Sequence, residues 1–496
     1  MNYIGISCGF HDAAISVVSD KGEVLFADHS ERHSKIKHDK ELCEGLIQEA
    51  LKHAGSDYEL HFYERPVKKF LRRLRAGEKP SLSSMFTCMN IGLKNTKLLR
   101  NGKYRTLHTH DHHKTHAASG FQTSPYDDAT VVVIDSIGEF ETITIWDATY
   151  VNGIAQYKKI YSQTYPDSIG LFYSAMTKRV GLKPLDEEYI LMGMSAYGNP
   201  THASKMYSDF IEDAVELKFR ENLHVGVPDD YLEGADIMDI ANSSQLVVEH
   251  LIDKVILKAR LLGKSKNLVY SGGVALNCLA NRNLGKYFEQ IWIMPNPGDA
   301  GSSLGAACLA YGGKVNWNNS YLGFDIHGDY PVDDLLNELL TTQIVGVASG
   351  RAEFGPRSLG NRSLLADPRR KEIKEKVNDI KRRQQYRPFA PVILEELVHQ
   401  HFIMPSNWDN SRYMQVVSTC RHPDLFPAIV HHDGTSRVQT VPNDGSGIRK
   451  LLEAWYKETG CPMLLNTSLN IRGEPMVNDR YDADRFETMY GVKVCS

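Results

Sequence analysis

Long apolar runs are missing from this sequence. None approaches the roughly 18 residues that a membrane-spanning helix needs, so no membrane partner is expected. The eight cysteines are scattered with no Cys-x-x-Cys pair. That argues against a zinc ribbon or a disulfide framework and for reduced thiols in the cytoplasm. There is no Walker A loop, so a nucleotide site would not be of the P-loop kind. Charge of one sign is also scarce. A net charge of -4 excludes electrostatic nucleic-acid binding by the whole chain and leaves only a local basic patch open. The opening MNYIGISCGF lacks a basic segment followed by a long apolar one, and reads as no signal peptide. Asn361-Arg362-Ser363 and Asn466-Thr467-Ser468 match the glycosylation pattern, but without export they read as coincidence.

What is present is an ordinary globular composition. Apolar residues make up 42% and charged residues 24% of 496 residues, enough for two or three domains and a large core. Tyr3–Ile6, Ala13–Val17 and Val24–Phe26 read as strands separated by turns at Gly9–Asp12 and Lys21-Gly22. Residues 40–54 read as an amphipathic helix, and residues 65–107 as basic and irregular. A second strand set follows, with Thr130–Ile134, a turn at Gly138 and Glu141–Trp146. An acidic residue stands at the first turn of both sets, Asp12 and Asp135. That echo suggests an internally duplicated α/β domain. Helices are expected at about 167–180 and 244–262, the second with Val247, Leu251, Val255 and Ala259 on one face. Asn267–Tyr270 reads as a buried strand entering Ser271-Gly272-Gly273. Residues 315–340 are polar and turn-rich, a natural domain junction. Strands at Ile344–Ala348 and Ala390–Leu394 flank a basic helix at about 370–383.

The sharpest local signal is His112-His113-Lys114-Thr115-His116. On a helix His112 and His116 share a face and can hold one metal. Two imidazoles suit iron, zinc or manganese, and carboxylates from elsewhere would complete the site. Asp135, at a strand end, and Asp299, between glycines, are the candidates. Three glycine-bearing turns follow strands, at Gly9, at Ser271-Gly272-Gly273 and at Gly298–Ser303. Such turns let a phosphate or adenine approach the backbone, and three of them fit the nucleotide cleft of the actin/Hsp70/sugar-kinase superfold. The C-terminal third is rich in cations: Arg351, Arg357, Arg362, Lys381, Arg387, Arg437 and Arg472. Arg357, Arg387, Arg437 and Arg472 sit in Gly/Pro-rich or otherwise constrained stretches and read as anion-binding forks. Lys371–Arg383 taken alone reads as a solvated basic face.

These motifs, in this order, resemble the O-carbamoyltransferase family that includes nodulation-factor, tobramycin and cephalosporin carbamoyltransferases. The resemblance is carried by His112–Ser119, Val133–Glu139, Ser168–Ala175, Ser271–Asn277 and Gly298–Gly301. It continues through Glu353–Arg357, Leu359–Ser363, Arg387–Pro391, Asp433–Thr440 and Leu465–Pro475. It implies an α/β chain with a domain like the tRNA threonylcarbamoyltransferase over 1–330 and a YrdC-like domain over 331–496. The second would make carbamoyl adenylate from carbamoyl phosphate and ATP, with Mg. The first, with iron (or zinc), would pass the carbamoyl group to an acceptor hydroxyl. Carried over by residue, the metal ligands are His112, His116, Asp135 and Asp299. The nucleotide and carbamoyl-phosphate contacts are Ser271, Gly272, Gly273, Asn277, Arg357, Lys381, Arg387, Arg437 and Arg472. His11 and Asp12 stand at the family's His-Asp turn, where either could take the acceptor proton. A homodimer is left open.

The chain departs from the family where Glu187-Glu188-Tyr189 replaces Gly-Glu-Tyr and Ser195–Gly198 replaces Ala-Pro-Tyr-Gly. The segment between Tyr63 and His108 is short and basic, with Lys68, Lys69, Arg72, Arg73, Arg75, Lys94, Lys97, Arg100, Lys103 and Arg105. That leaves two acceptors, a small molecule or sugar, and 5-hydroxymethylcytosine in DNA as proposed for phage members of the family. The alternative activities are a tRNA threonylcarbamoyl-transferase-like and a sugar-kinase-like enzyme. Neither needs the arginine-rich third.

Overall fold

A computed structural model describes residues 1–10, 12–76, 93–103 and 105–496, the side chains of 93–96 excepted. His11 and the Lys94 side chain lie outside the described residues.

Two five-stranded sheets share one topology. The first holds strands Asn2–Ser7, Ala14–Val18, Val24–His29, Tyr58–Phe62 and Leu107–Thr109, in spatial order three, two, one, four, five. The second holds Asp128–Gly138, Glu141–Val151, Ile154–Thr164, Asn267–Ser271 and Gln290–Trp292 in the same order. In each, the first strand pairs antiparallel with the second and parallel with the fourth. The echo of Asp12 and Asp135 thus belongs to a duplicated unit. Val131 to Ile134 and Ile4 to Ser7 are buried without alternation, because both faces of each sheet are covered.

One helix fixes how the halves meet. Ser302–Tyr311 lies against strand Asn2–Ser7 and helix His112–Phe121 with the backbones nearly touching. A Cβ at Gly5 would stand 1.8 Å from the Ser303 carbonyl oxygen, and one at Gly305 would stand 1.9 Å from that of Thr115. Both contacts require glycine. The close approach sets Asp299, just before this helix, beside the histidines of the other.

The C-terminal region has its own core. Its six-stranded sheet runs Gln439–Val441, Ala390–Leu394, Met463–Ser468, Arg362–Ala366, Ile344–Ala348, Val494–Cys495. Val392, Leu465, Leu452 and Trp455 are buried there, at about 1.5–3 kcal/mol for each large aliphatic side chain removed from water.

Three sequence expectations are corrected. Residues 65–107 are not irregular throughout. They contain helices Pro66–Arg75 and Leu93–Arg100, the first started by a proline whose missing N–H costs nothing at that position. The stretch 315–340 holds strand Tyr321–Ile326 and helix Val332–Thr342. The strand forms by antiparallel pairing with Gly350–Glu353, a long-range partner that no local window reveals. The long helix begins at Ile237, not near 244, behind an Asp236 side chain that accepts from the Met238 N–H at 2.8 Å. Asn242, Ser243 and Ser244, in the second turn, are weak helix formers and hid the start of the helix.

Candidate active site

A single cavity of about 870 Å³ runs between the duplicated domain and the C-terminal region. Histidines and carboxylates line one end, and arginines line the other.

At the first end, four groups converge. The Nε2 atoms of His112 and His116 are 3.1 Å apart. The Oδ1 of Asp299 lies 3.2 Å from His116 Nε2 and 3.4 Å from that of His112, and the Oδ2 of Asp135 lies 3.3 Å from His112 Nε2. One ligand atom from each lies within 4.8 Å of the others. Lone pairs from two imidazoles and two carboxylates aimed at one point fit a cation such as iron or zinc. Burial alone would strip His112 of its proton, but Asp299 and Asp135 overcome this and raise its affinity above that of an ordinary imidazole. His113 is outside the cluster and donates or accepts at Thr144 Oγ1, 3.0 Å away.

The positions follow from the fold. His112 and His116 lie one turn apart on helix His112–Phe121, and Asp135 sits near the end of a central strand. Gly138 backs directly onto the His112 ring, where a Cβ would come within 2.3 Å of Cδ2. Gly272 has φ +90°, and a Cβ there would strike the Ile134 carbonyl oxygen at 2.2 Å. The next N–H, of Gly273, reaches Asp135 Oδ1 at 3.3 Å. This turn therefore holds the aspartate. Ser271 and Gly272 lie behind the cavity wall, whereas Gly273 and Asn277 line it. Asn277 exchanges amide hydrogen bonds with Gln245, at 3.0 and 3.1 Å.

On the same wall, Asp12 takes the left-handed conformation, φ +50°, and His38 does so at φ +54°. Strained backbone of this kind collects at functional sites. His38 Nδ1 lies 2.8 Å from Asp12 Oδ1, and its Nε2 lies 2.7 Å from Asp186 Oδ1. Burial works against the imidazolium, yet Asp12 and Asp186 raise its pKa to about 9. A ring with both nitrogens engaged in this way positions Asp12. His38 and Asp186 escaped the sequence reading. The only signal was the run Lys35–Asp39, which carried no recognisable spacing.

At the far end, Arg357, Lys381, Arg383, Arg387, Arg437 and Arg472 line the cavity. Burial, then the neighbouring Arg437, lowers the pKa of Arg357. Burial and Arg387 act the same way on Arg383. Arg387 lies 4.9 Å over the Tyr189 ring and is also lowered, mainly by burial. The buried Nε of Arg437 has no partner among the described residues. Desolvated cations crowded without carboxylates are costly, and an anion relieves them. Lys381 is bound internally, its ammonium donating to Ser468 and to the Asn470 carbonyl at 2.8 Å, so it shapes the 468–470 loop. Arg383 corrects the reading of Lys371–Arg383 as a solvated face. Helix Lys371–Ile380 ends before it, and its guanidinium turns inward 4.3 Å over Phe389. Arg351 and Arg362 are structural. Arg362 is fully buried and donates to the carbonyls of Asn478, Ser349 and Phe324, and Arg351 to those of Gly323, Leu322 and Leu25.

Comparison with known proteins fits this geometry. Residues 82–308 match the family described as Carbamoyltransferase N-terminus, and residues 336–494 match Carbamoyltransferase C-terminus. The chain is 32% identical to the uncharacterised protein sll1178 of Synechocystis, over 97% of this chain and 93% of that one. It is 31% identical to nodulation protein NolNO of Sinorhizobium fredii, over 95% of this chain and 76% of that one. It is 30% identical to nodulation protein NolO of Bradyrhizobium diazoefficiens, over 75% of each. Both family regions occur in order on one chain, and the residues they bring face one cavity from opposite ends: the chain belongs to the carbamoyltransferase family and is a transferase enzyme.

Proposed function

We propose that this chain is an ATP-dependent O-carbamoyltransferase, with the transfer site on residues 1–330 and a YrdC-like adenylate-forming site on residues 331–496. The observation that carries the reading is the single cavity joining a cation-binding cluster to a counter-ion-poor arginine cluster. Its volume, about 870 Å³, is of the size that encloses a nucleotide-sized ligand.

In this reading Arg357, Arg383, Arg387, Arg437 and Arg472 hold the phosphates of ATP, with Mg, and of carbamoyl phosphate. Water releases phosphate from carbamoyl phosphate and leaves carbamate. A carbamate oxygen then attacks the α-phosphorus of ATP, the bond to the β-phosphate oxygen breaks, and pyrophosphate departs. The acceptor hydroxyl attacks the carbamoyl carbon of the adenylate, and AMP leaves. Asp12, oriented by His38, accepts the hydroxyl proton. His112, His116, Asp135 and Asp299 would hold the iron or zinc ion, which when bound supplies Lewis acidity at the carbamoyl oxygen. Residues flanking the cavity keep the labile adenylate from water. The reaction belongs in the cytoplasm, and no helix among the described residues is long and apolar enough to cross a membrane. The test is carbamoyl-phosphate-dependent release of pyrophosphate from ATP, which neither a threonylcarbamoyl transferase nor a sugar kinase would show.

The acceptor in this reading is a small hydroxyl compound such as a sugar. Part of the basic segment beside the cavity is engaged locally. Lys69 pairs with Glu64 at 2.9 Å, Lys68 with Asp111 and Glu139, and Arg105 stacks at 3.7 Å on Tyr58 while donating to the Ser56 carbonyl. Arg72 and Arg73 line the cavity and favour hydroxymethylcytosine DNA as the second reading. Mass spectrometry of reactions offered hydroxymethylcytosine DNA beside sugars and aminoglycosides decides between them. With DNA as acceptor, Arg73→Glu should impair turnover and added salt should weaken it steeply.

A further inference from the structure

The cations at the arginine end are not equivalent. Arg357, Arg383, Arg387 and Arg437 have no carboxylate partner among the described residues, but Arg472 does. Its Nη2 lies 3.1 Å from Glu187 Oε1. Glu187 stands in a run of three acids that all line the cavity, and each acid has a different partner. Asp186 is taken by His38 at 2.7 Å and Lys183 at 2.7 Å. Glu188 accepts from Ser174 Oγ at 2.6 Å and from the Leu185 N–H at 2.5 Å. Only Glu187 turns toward the arginines. Its other oxygen accepts from the Lys183 N–H at 3.0 Å, which aims the carboxylate at Arg472 in the empty enzyme. Arg472 is close enough to Arg387 for the two cations to repel, so the pair sits at the edge of the anion site.

We propose that Glu187 is an internal counter-ion that occupies Arg472 in the empty enzyme and must be displaced by the incoming phosphate-bearing substrate, so that it raises the KM for carbamoyl phosphate. This rests on the function proposed above. The pair is built to exchange. Arg472 is about half exposed, and ion pairs of that kind are weak and easily opened to solvent. Displacement frees a guanidinium with two parallel donors for a phosphate, a better match than the single contact it makes with Glu187. A dianion also meets the carboxylate as a like charge, which weakens binding further until Glu187 swings away. Glu187 then acts on ground-state binding, because it retreats before chemistry begins.

The experiment measures exchange of labelled pyrophosphate into ATP as a function of carbamoyl phosphate concentration, which turns over without an acceptor. Glu187→Gln keeps the side-chain acceptor for the Lys183 N–H and removes the charge. The expected result is a KM for carbamoyl phosphate lower by roughly two- to fivefold, with kcat changed by less than about twofold. Glu187→Asp, too short to reach Arg472 but still an anion beside the site, should lower KM less than Glu187→Gln. Titration calorimetry with inorganic phosphate on the same proteins should show tighter binding to Glu187→Gln by a similar factor. A purely structural glutamate would raise KM or lower kcat and the melting temperature when changed. An unchanged or higher KM in Glu187→Gln, with carbamoyl-phosphate-dependent exchange present in the wild type, overturns the inference and leaves the proposed function standing. Absence of carbamoyl-phosphate-dependent exchange in the wild type overturns the proposed function. The phosphate titration then still judges Glu187: equal affinity for both proteins would end its role as a competing anion.

Discussion

The two ends of the cavity are built by different means. The His/Asp end is mounted on regular structure. Two histidines share a helical turn, one aspartate ends a central strand, and the other precedes a helix packed backbone to backbone against its neighbours. The arginine end is mounted mostly on loops, the turn around Gly355, the segment after helix Lys371–Ile380 and the loop at 469–473, with Arg437 at the end of the short strand Thr435–Arg437. Rigid elements suit ligands that must keep sub-ångström spacing around one ion. Loops suit long, planar side chains that gather around a flexible polyphosphate. The ends also differ in charge balance. The first neutralises itself with its own carboxylates, while the second keeps an excess of positive charge that only a ligand removes.

The contrast predicts different failures. At the arginine end a single truncation should act on binding. Arg387→Ala removes one partner of a desolvated ionic contact, worth about 2–5 kcal/mol, or roughly thirtyfold to several thousandfold in affinity for carbamoyl phosphate. The chain should remain folded, because the guanidinium packs on the Tyr189 ring at the cavity surface and not in the core. Steady-state pyrophosphate release against carbamoyl phosphate concentration measures this, and a normal KM would remove Arg387 from the site.

At the rigid end a methyl group should suffice. Gly138→Ala places a Cβ within 2.3 Å of His112 and forces the ring to move. Displacing a ligand in this way should cost on the order of 10–100-fold in metal affinity. Metal content by mass spectrometry and transfer to an acceptor should fall together, with adenylate formation unchanged. Retention of metal at wild-type stoichiometry and affinity would mean that Gly138 does not set the position of His112.

A smaller effect separates the two bonds of His38. Asparagine can reproduce the donor at Nδ1, facing Asp12, and glutamine the donor at Nε2, facing Asp186. If His38 positions the base, His38→Asn should transfer about tenfold faster than His38→Gln, within the range of general-base effects. Equal rates would mean that His38 only braces the wall. The smallest effect is on stability. The folded pKa of about 9 lies above the unfolded imidazole value, so the bridge stabilises fully below about pH 6.5 and is lost as pH rises through about 9. Asp12, Asp186, Lys37 and, through Asp186, Lys183 all bear on this group. Melting temperatures between pH 6 and pH 10 should fall more steeply in the wild type than in His38→Asn.

The same contrast explains what the sequence made legible. His112 and His116 could be read because helical spacing places i and i+4 on one face, and Asp135 because a strand end points into a crevice. The duplicated fold was visible only as an echo of two acidic turns; the shared strand order appears once pairing is known. Arg383 was missed, and the structural role of Arg351 and Arg362 went unread, for one physical reason. Arginine serves equally well to bind a substrate anion or to collect backbone carbonyls, and local sequence does not say which. Lys381 sat between these cases, in the cavity wall yet occupied with Ser468 and Asn470. The Asp12–His38–Asp186 bridge joins residues 26 apart on one side to a third from the other half of the domain, beyond the reach of any motif.

The central claim is that one cavity carries two chemically separable steps. Asp135→Ala tests it most directly, assayed both for carbamoyl-phosphate-dependent exchange of labelled pyrophosphate into ATP and for carbamoyl mass gain on an acceptor panel. The account predicts wild-type exchange with no detectable carbamoylated product. Loss of exchange in step with transfer, or full transfer without the aspartate, would contradict it.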